Sequence, residues 1–276
     1  MVVFPNSKIN LGLRILRKRN DGYHDLETVF YPLPLTDILE INPYPVYQKN
    51  FSIPFTKSGF VIDDDPSDNL CIKAYKLLKK DFPRLPNVKM HLHKAIPAGA
   101  GLGGGSADAA FTLVLLNNEF KLGLNREELL GYSLKLGSDC PFFIINKPCH
   151  ATGRGEQLVP IDLDLSAYKI IVVNPGIHIN TGRAFLHSKP SQAGIPIGDI
   201  LKKPVKRWKD ELVNDFENWV FSEYREVVEI KDSLYIAGAH FASMSGSGST
   251  VYALFPKESA IQLNFPPNYF VRELAG

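Results

Sequence analysis

The 276-residue chain has no excess of charge of one sign, no long apolar run and few cysteines. With 31 Lys and Arg against 29 Asp and Glu, its formal net charge is +2. Nucleic-acid binders draw most of their affinity from phosphate neutralisation, so near-neutrality without a Lys/Arg stripe leaves no reason to expect nucleic acid as a partner. The longest apolar runs, such as Phe142 to Ile145 and Ile170 to Val173, fall far short of the roughly 20 residues that cross a bilayer, so no membrane span is expected. The start, Met1-Val2-Val3-Phe4-Pro5-Asn6-Ser7-Lys8, lacks the basic and apolar regions of a secretory signal, which points to the cytoplasm. Cys71, Cys140 and Cys149 are odd in number and form no CxxC pair, so they read as reduced, part-buried thiols rather than a disulfide framework. Internal repeats and low-complexity tracts are also missing.

What remains is an ordinary globular composition, 45% hydrophobic and 22% charged, in a chain whose length suits one large domain or two smaller ones. Alternating apolar and polar residues predict half-buried strands over Lys8 to Leu16, Asp37 to Asn42 and Val88 to His93. Helical spacing appears over Asn69 to Asp81. An Asn cap with early acids opens another helix at Asn125, and Ser106 to Asn117 is apolar on most sides, as a buried helix would be. After Gly155 the texture changes: a strand-like Tyr168 to Val173, a charged helix-compatible stretch from Thr181 to Leu234 interrupted by Pro190, Pro196 and Pro204, then strand signals at Thr250 to Phe255 and Tyr269 to Glu273. The shift places a domain boundary near residue 160, giving domains 1–160 and 161–276 in an α/β protein.

Glycine is unremarkable in total, at 21 residues, but five of them fall within the seven positions 99–105. The segment Pro97-Ala98-Gly99-Ala100-Gly101-Leu102-Gly103-Gly104-Gly105-Ser106-Ala107 follows a predicted strand and enters a predicted helix. Strand, glycine loop and helix N-terminus together make a phosphate site, because glycines bring backbone N–H groups close to an anion at the positive end of the helix dipole. Ser106 either caps that helix or reaches a phosphate or Mg²⁺. The loop contains no lysine, which excludes a Walker-type P-loop. Its formal Gly99-x-Gly101-x-x-Gly104 match to a dinucleotide fingerprint lacks the following strand and acid that an NAD-dependent oxidoreductase requires. Two more Gly/Ser segments, Ala151 to Glu156 and Met244 to Thr250, lie beside predicted strands and suggest a nucleotide pocket lined from several parts of the chain.

Three segments, Pro5-Asn6-Ser7-Lys8-Ile9-Asn10-Leu11, Pro97 to Ala107, and Met244-Ser245-Gly246-Ser247-Gly248, come in the order of the GHMP kinase superfamily, which the chain resembles. Four more, Arg19 to His24, Gly137 to Phe143, Ala151 to Glu156 and Val213 to Glu217, resemble the branch acting on 4-diphosphocytidyl-2-C-methyl-D-erythritol. Two positions depart from the family pattern: Ser7 stands where Ala usually precedes the Lys, and Ser106-Ala107 where Ser-Ser is common. The stretch from Phe185 to Lys209 matches little. The resemblance implies an α/β (α+β), two-domain GHMP kinase fold, with an N-terminal ribosomal-protein-S5-domain-2-like domain containing an unusual βαβ unit, a C-terminal ferredoxin-like domain and an active site in the cleft between them. It also implies a monomer or weak homodimer, ATP as phosphoryl donor bound by Pro97 to Ala107, and Mg²⁺ as the counter-ion of ATP with no assigned protein ligands.

Phosphoryl transfer to an alcohol needs a positioned hydroxyl, a proton acceptor and positive charge over the moving phosphoryl group. By resemblance, Asp139 accepts the proton of the substrate's 2-hydroxyl and Lys8 orients that hydroxyl or stabilises developing charge. Without the resemblance, Lys8 reads as a solvated strand residue and Asp139 as the cap of a turn before Pro141. Asn10 shares a strand face with Lys8 by the period of two and is a candidate substrate contact. Tyr23 offers a ring for the pyrimidine and His24 a hydrogen-bonding edge, with Phe185 a second stacking face, Thr181 a polar contact, and Gly246 and Ser247 completing the substrate set. His91 and His93 share a strand face but find no third metal ligand and read as exposed strand residues. A GHMP kinase for another small alcohol, such as homoserine or mevalonate, is the alternative reading, followed by a nucleotide-binding protein without turnover.

Overall fold

The computed structural model describes residues 1–45, 53–61, 65–190 and 194–276. Its strands are β1 (Val2–Val3), β2 (Asn6–Lys18), β3 (His24–Thr36), β4 (Ile38–Pro43), β5 (Phe55–Gly59), β6 (Val88–Lys94), β7 (Cys149–Thr152), β8 (Gln157–Pro160), β9 (Tyr168–Asn174), β10 (Phe241–Met244), β11 (Val251–Pro256) and β12 (Phe270–Ala275). Its helices are α1 (Leu70–Asp81), α2 (Gly104–Glu119), α3 (Arg126–Leu134), α4 (Cys140–Ile145), α5 (Thr181–His187), α6 (Ile197–Ile200), α7 (Glu217–Glu223) and α8 (Arg225–Ile236). By packing they form two units that interleave along the chain rather than dividing at one cut near residue 160. One holds Met1–Ser7, Leu35–Ala98 and Gly103–Asn146; the other holds Lys8–Pro34, Gly99–Leu102 and Lys147–Gly276. The interleaving arises because β2 and β3, 13 residues each, give their Ser7 and Leu35 ends to the first unit and the rest to the second.

The first unit carries the sheet β1-β4-β6-β5, in which β5 and β6 run parallel with α1 between them, a βαβ unit. The alternation read over Val88 to His93 is realised: Val88, Met90 and Leu92 are buried while Lys89, His91 and His93 are not. His91 and His93 hydrogen-bond Thr56 and Ser58 of the neighbouring strand. Helix α1 occupies the stretch read from spacing, and α3 starts at its Asn signal. The Asn69 side chain accepts from Cys71 N at 2.9 Å, and Asn125 forms a capping box with Glu128. Helix α2 is buried on most sides, and Leu113 and Leu116 join Leu39, Ile41, Leu78 and Met90 in the core.

The second unit carries two sheets, β2-β3-β7-β8 and the antiparallel β10-β11-β9-β12. Its core gathers Leu13, Ile15, Val173, Phe216, Val220, Ile230, Met244 and Phe255. All three cysteines are buried and free. Among the described residues no helix is long and apolar enough to cross a membrane.

Candidate active site

Lys8 is 3% exposed and lies on the buried part of β2, so it is not the solvated strand residue that its type alone would suggest. An ammonium can stay charged in such a place only if its protons are taken up. Nζ donates to Asn10 Oδ1 at 2.6 Å and to the Gly101 carbonyl at 3.2 Å, and sits 5.0 Å from the centre of the Phe30 ring. The strand period that puts Asn10 beside Lys8 therefore has a direct chemical result. Asn10 Nδ2 in turn donates to Thr28 Oγ1 at 3.0 Å, which fixes the amide's orientation.

The glycine loop meets this network through its backbone. Gly99, Gly101 and Gly103 all have left-handed φ, at +64°, +79° and +72°, with Ala100 and Leu102 buried between them. Such alternation is how a backbone turns successive N–H groups toward an anion. At Gly101 the requirement is doubled, since a Cβ would also run into the Ser245 carbonyl. Lys8 N donates to Leu102 O at 2.9 Å and Thr250 N to Ala100 O at 3.3 Å, so β2 and the residue before β11 both hold the loop. Ser245 joins them. Its hydroxyl accepts from Asn10 N at 3.2 Å and donates to Gly101 O at 2.8 Å.

Ser106 does not cap α2. The helix begins two residues earlier, with Gly103 as a left-handed N-cap that makes no side-chain bond. Ser106 sits inside the first turn, where it hydrogen-bonds the Cys140 thiol; burial pushes that thiol up to about 12. Pro97, Ala98, Gly104, Gly105, Ser106 and Ala107 belong to the first unit, as does Asp139; Lys8, Asn10 and Gly99–Leu102 belong to the second. Asp139 precedes α4, and its side chain makes no capping bond to that helix.

The candidate substrate residues fall into two groups within the second unit. The first is aromatic. Arg19 N donates to Tyr23 O and Gly22 N to Arg19 O, closing the turn between β2 and β3, and Tyr23 emerges from it 53% exposed, its ring under the Arg154 guanidinium at 4.7 Å. His24 stacks on Phe185 at 4.9 Å and 14°, and Phe185 meets Phe216 edge-on at 4.9 Å. Burial, with Lys18 nearby, holds the His24 imidazole below its ordinary pKa, so it is neutral near pH 7, with one donor and one acceptor. The second group is polar: the hydroxyls of Thr181 and Ser247 lie 2.8 Å apart, next to Gly246.

Sequence reasoning missed a buried ionic cluster in the first unit. Lys94 bridges Asp37 and Asp108, the second at 2.7 Å, and Asp37 Oδ1 accepts from Ala95 N and Ile96 N at the entrance to the glycine loop. Lys94 Nζ lies 3.2 Å from where a Cβ on Gly104 would be, so the cation forms the floor under the first residue of α2. Burial beside Asp37 raises the Asp108 carboxyl to about 7, while the two carboxylates hold Lys94 above its usual range. Nothing in the local sequence marks these residues, because their partners are 14 and 57 positions apart.

A GHMP kinases N-terminal domain model matches residues 69–147 and a GHMP kinases C-terminal model matches residues 198–263. The chain belongs to the GHMP kinases. Among these its relatives are the 4-diphosphocytidyl-2-C-methyl-D-erythritol kinases. The one of Bacteroides thetaiotaomicron is 49% identical over 261 residues, covering 95% of this chain and 94% of the relative. That of Azobacteroides pseudotrichonymphae is 51% identical over 258 residues, covering 93% and 94%. A crystal structure of 4-(cytidine 5'-diphospho)-2C-methyl-D-erythritol kinase superposes with a TM-score of 0.79 at 28% identity, covering 100% of both chains.

Proposed function

We propose that this kinase transfers the γ-phosphoryl group of ATP to the 2-hydroxyl of 4-diphosphocytidyl-2-C-methyl-D-erythritol, as its relatives' name implies. The observation that carries the reading is that one unit holds a buried lysine bonded to the Gly99–Leu102 part of the glycine loop, and also an aromatic cluster. Lys8 Nζ donates to Asn10 and to the loop carbonyl at Gly101, His24 stacks on Phe185, and the exposed Tyr23 ring lies under the Arg154 guanidinium. A substrate ending in cytidine needs a stacking surface and a neutral hydrogen-bonding edge; homoserine and mevalonate need neither.

In the proposed reaction the substrate's 2-oxygen attacks the γ-phosphorus, the bond from that phosphorus to the β,γ-bridging oxygen breaks, and ADP leaves. The hydroxyl proton passes to the Asp139 carboxylate. Lys8 stabilises the charge that develops on the moving phosphoryl group, and Asn10 holds the ammonium in place and meets the substrate beside it. The backbone from Pro97 to Ala107 receives the phosphates of ATP, which enters as its Mg²⁺ complex. Tyr23, His24 and Phe185 receive the pyrimidine, and Thr181, Gly246 and Ser247 line the sugar side.

An ADP-release assay comparing the diphosphocytidyl substrate with unconjugated methylerythritol phosphate, homoserine and mevalonate tests the reading. Turnover of the first alone is expected; turnover of homoserine or mevalonate instead overturns it. Asp139→Ala is expected to lower kcat by at least about 100-fold, the usual scale for losing a general base, with ATP affinity nearly intact.

A further inference from the structure

Asn214 has no place in the reaction as described, yet it is 2% exposed and every hydrogen-bonding group of its side chain is engaged but for a lone pair. Nδ2 donates to Met244 O and to Gly246 O, both at 2.8 Å, and Oδ1 accepts from Phe216 N at 3.0 Å. The backbone around it is fixed too. Leu13 N donates to Val213 O, Asp215 N donates to Leu13 O, and the Asp215 carboxylate accepts from Ile15 N, so residues 213–215 run alongside β2 in a parallel bridge. Asn214 is thus anchored to the strand that carries Lys8 and Asn10.

The two carbonyls it holds are those on either side of Ser245. Ser245 is fully buried, and its hydroxyl donates to the Gly101 carbonyl that also accepts from Lys8 Nζ. On its other side, the Phe216 backbone that Asn214 holds carries the ring against which Phe185 packs before stacking on His24. One amide therefore fixes the carbonyls flanking the lysine's supporting hydroxyl and the aromatic ring behind the stack. We propose that Asn214 is a positioning residue for the phosphoryl transfer: by clamping Met244 O and Gly246 O it holds Ser245, and through Ser245 and Gly101 it sets the position of the Lys8 ammonium. The proposal rests on the catalytic role given to Lys8 above. Aspartate in its place turns both donors into an acceptor facing two carbonyl oxygens, and serine is too short to reach them.

The test compares Asn214→Ser, Ser245→Ala and the double variant in steady-state turnover well below their thermal midpoints, each as a ratio to the wild type. Small displacements at a reacting centre are costly, so each single variant is expected to lower kcat by about 10- to 100-fold. Because both act through the same hydroxyl, the double variant should stay within about threefold of the worse single one, whereas independent effects multiply. A folded Asn214→Ser enzyme with wild-type kcat, or a double variant showing the product of the two losses, overturns the proposal. Asn214→Asp gives a second readout should the serine variant fail to fold. A buried carboxyl facing two carbonyls titrates high, and its protonated form again donates one bond, so its kcat relative to wild type should recover as pH falls from 8 toward 6. A flat ratio over that range overturns the proposal as well. Wild-type turnover of the diphosphocytidyl substrate tests the assigned reaction by itself, so failure of that reading is distinguishable from failure of the role given to Asn214.

Discussion

Ser7 immediately precedes Lys8, is fully buried, and among the described residues no group hydrogen-bonds its hydroxyl. The family's first motif usually carries alanine there. Burying an unpaired hydroxyl costs about 1–3 kcal/mol, whereas trimming the side chain by one atom leaves a gap smaller than a methylene, worth at most about 1 kcal/mol. Ser7→Ala should therefore stabilise the fold by about 1 kcal/mol net. For chains of this size each kcal/mol moves the thermal midpoint by about 2–4 °C, so a rise of that order is expected by calorimetry. The urea midpoint should rise with an unchanged slope, because the surface exposed on unfolding is the same. Lys8 is held by Asn10 and Gly101 rather than by Ser7, so kcat should remain within about twofold, since a side chain with no partner there has no transition-state contact to lose. An unchanged or lowered midpoint would refute the reasoning, because it would mean that the hydroxyl has a partner whose loss outweighs its burial.

Gly101→Ala forces a side chain into the left-handed region and against the Ser245 carbonyl, so a loss of stability of about 1–3 kcal/mol and a raised KM for ATP are expected; a wild-type KM would separate the loop from the nucleotide. Tyr23→Ala removes the exposed ring and should raise KM for the diphosphocytidyl substrate while leaving KM for ATP alone, and equal KM changes for both would sink the stacking role. Asp108 is held near 7 in the folded chain against a usual value near 4, so between those values the folded state keeps a proton that the unfolded state gives up. The Asp108 contribution to stability should then fall as pH rises through that window and level off above it, so in a thermal-melt series the wild type should lose ground against Asp108→Asn, which has no proton to lose. A wild type that gains on Asp108→Asn from pH 4 to 7 contradicts this.

The parts of the fold that local chemistry specifies are legible in the sequence. Helical spacing announces α1 and the Asn125 cap announces α3 because both are written within a few turns of chain, and Val88 to His93 announces β6 because alternation is written into neighbouring residues. Strand β3 is less legible: Pro32 and Pro34 interrupt its apolar run, and proline ordinarily argues against a sheet interior. Helix α4 is six residues long with Pro141 in its first turn, too short to show a period. Helix α2 starts two residues before Ser106 because a left-handed Gly103, rather than the serine, terminates the loop. Within the stretch of poor family match, residues 191–193 lie outside the described residues, while Ile195 O accepts from Arg14 and Ile197 N donates to Glu27, both on the β2–β3 pair. Those bonds have no local signature.

The site shows the same division more sharply. Lys8, Asn10 and the glycines are legible because they lie in the family's segments, but the partner that ties Lys8 to the loop is a backbone carbonyl. Gly101 O accepts from Nζ of a residue 93 positions earlier and from the hydroxyl of Ser245, 144 positions later. A backbone oxygen has no side-chain identity, so no residue type reports its role. Lys8, Gly101 and Ser245, one from each of the three family segments, are therefore joined at one carbonyl within the second unit. A substitution in any of them that shifts the Gly101 carbonyl should give the same kinetic defect at Lys8. Substitutions at Tyr23 or Phe185, which touch the aromatic group and not that carbonyl, should leave kcat at saturation near wild type and act on KM alone.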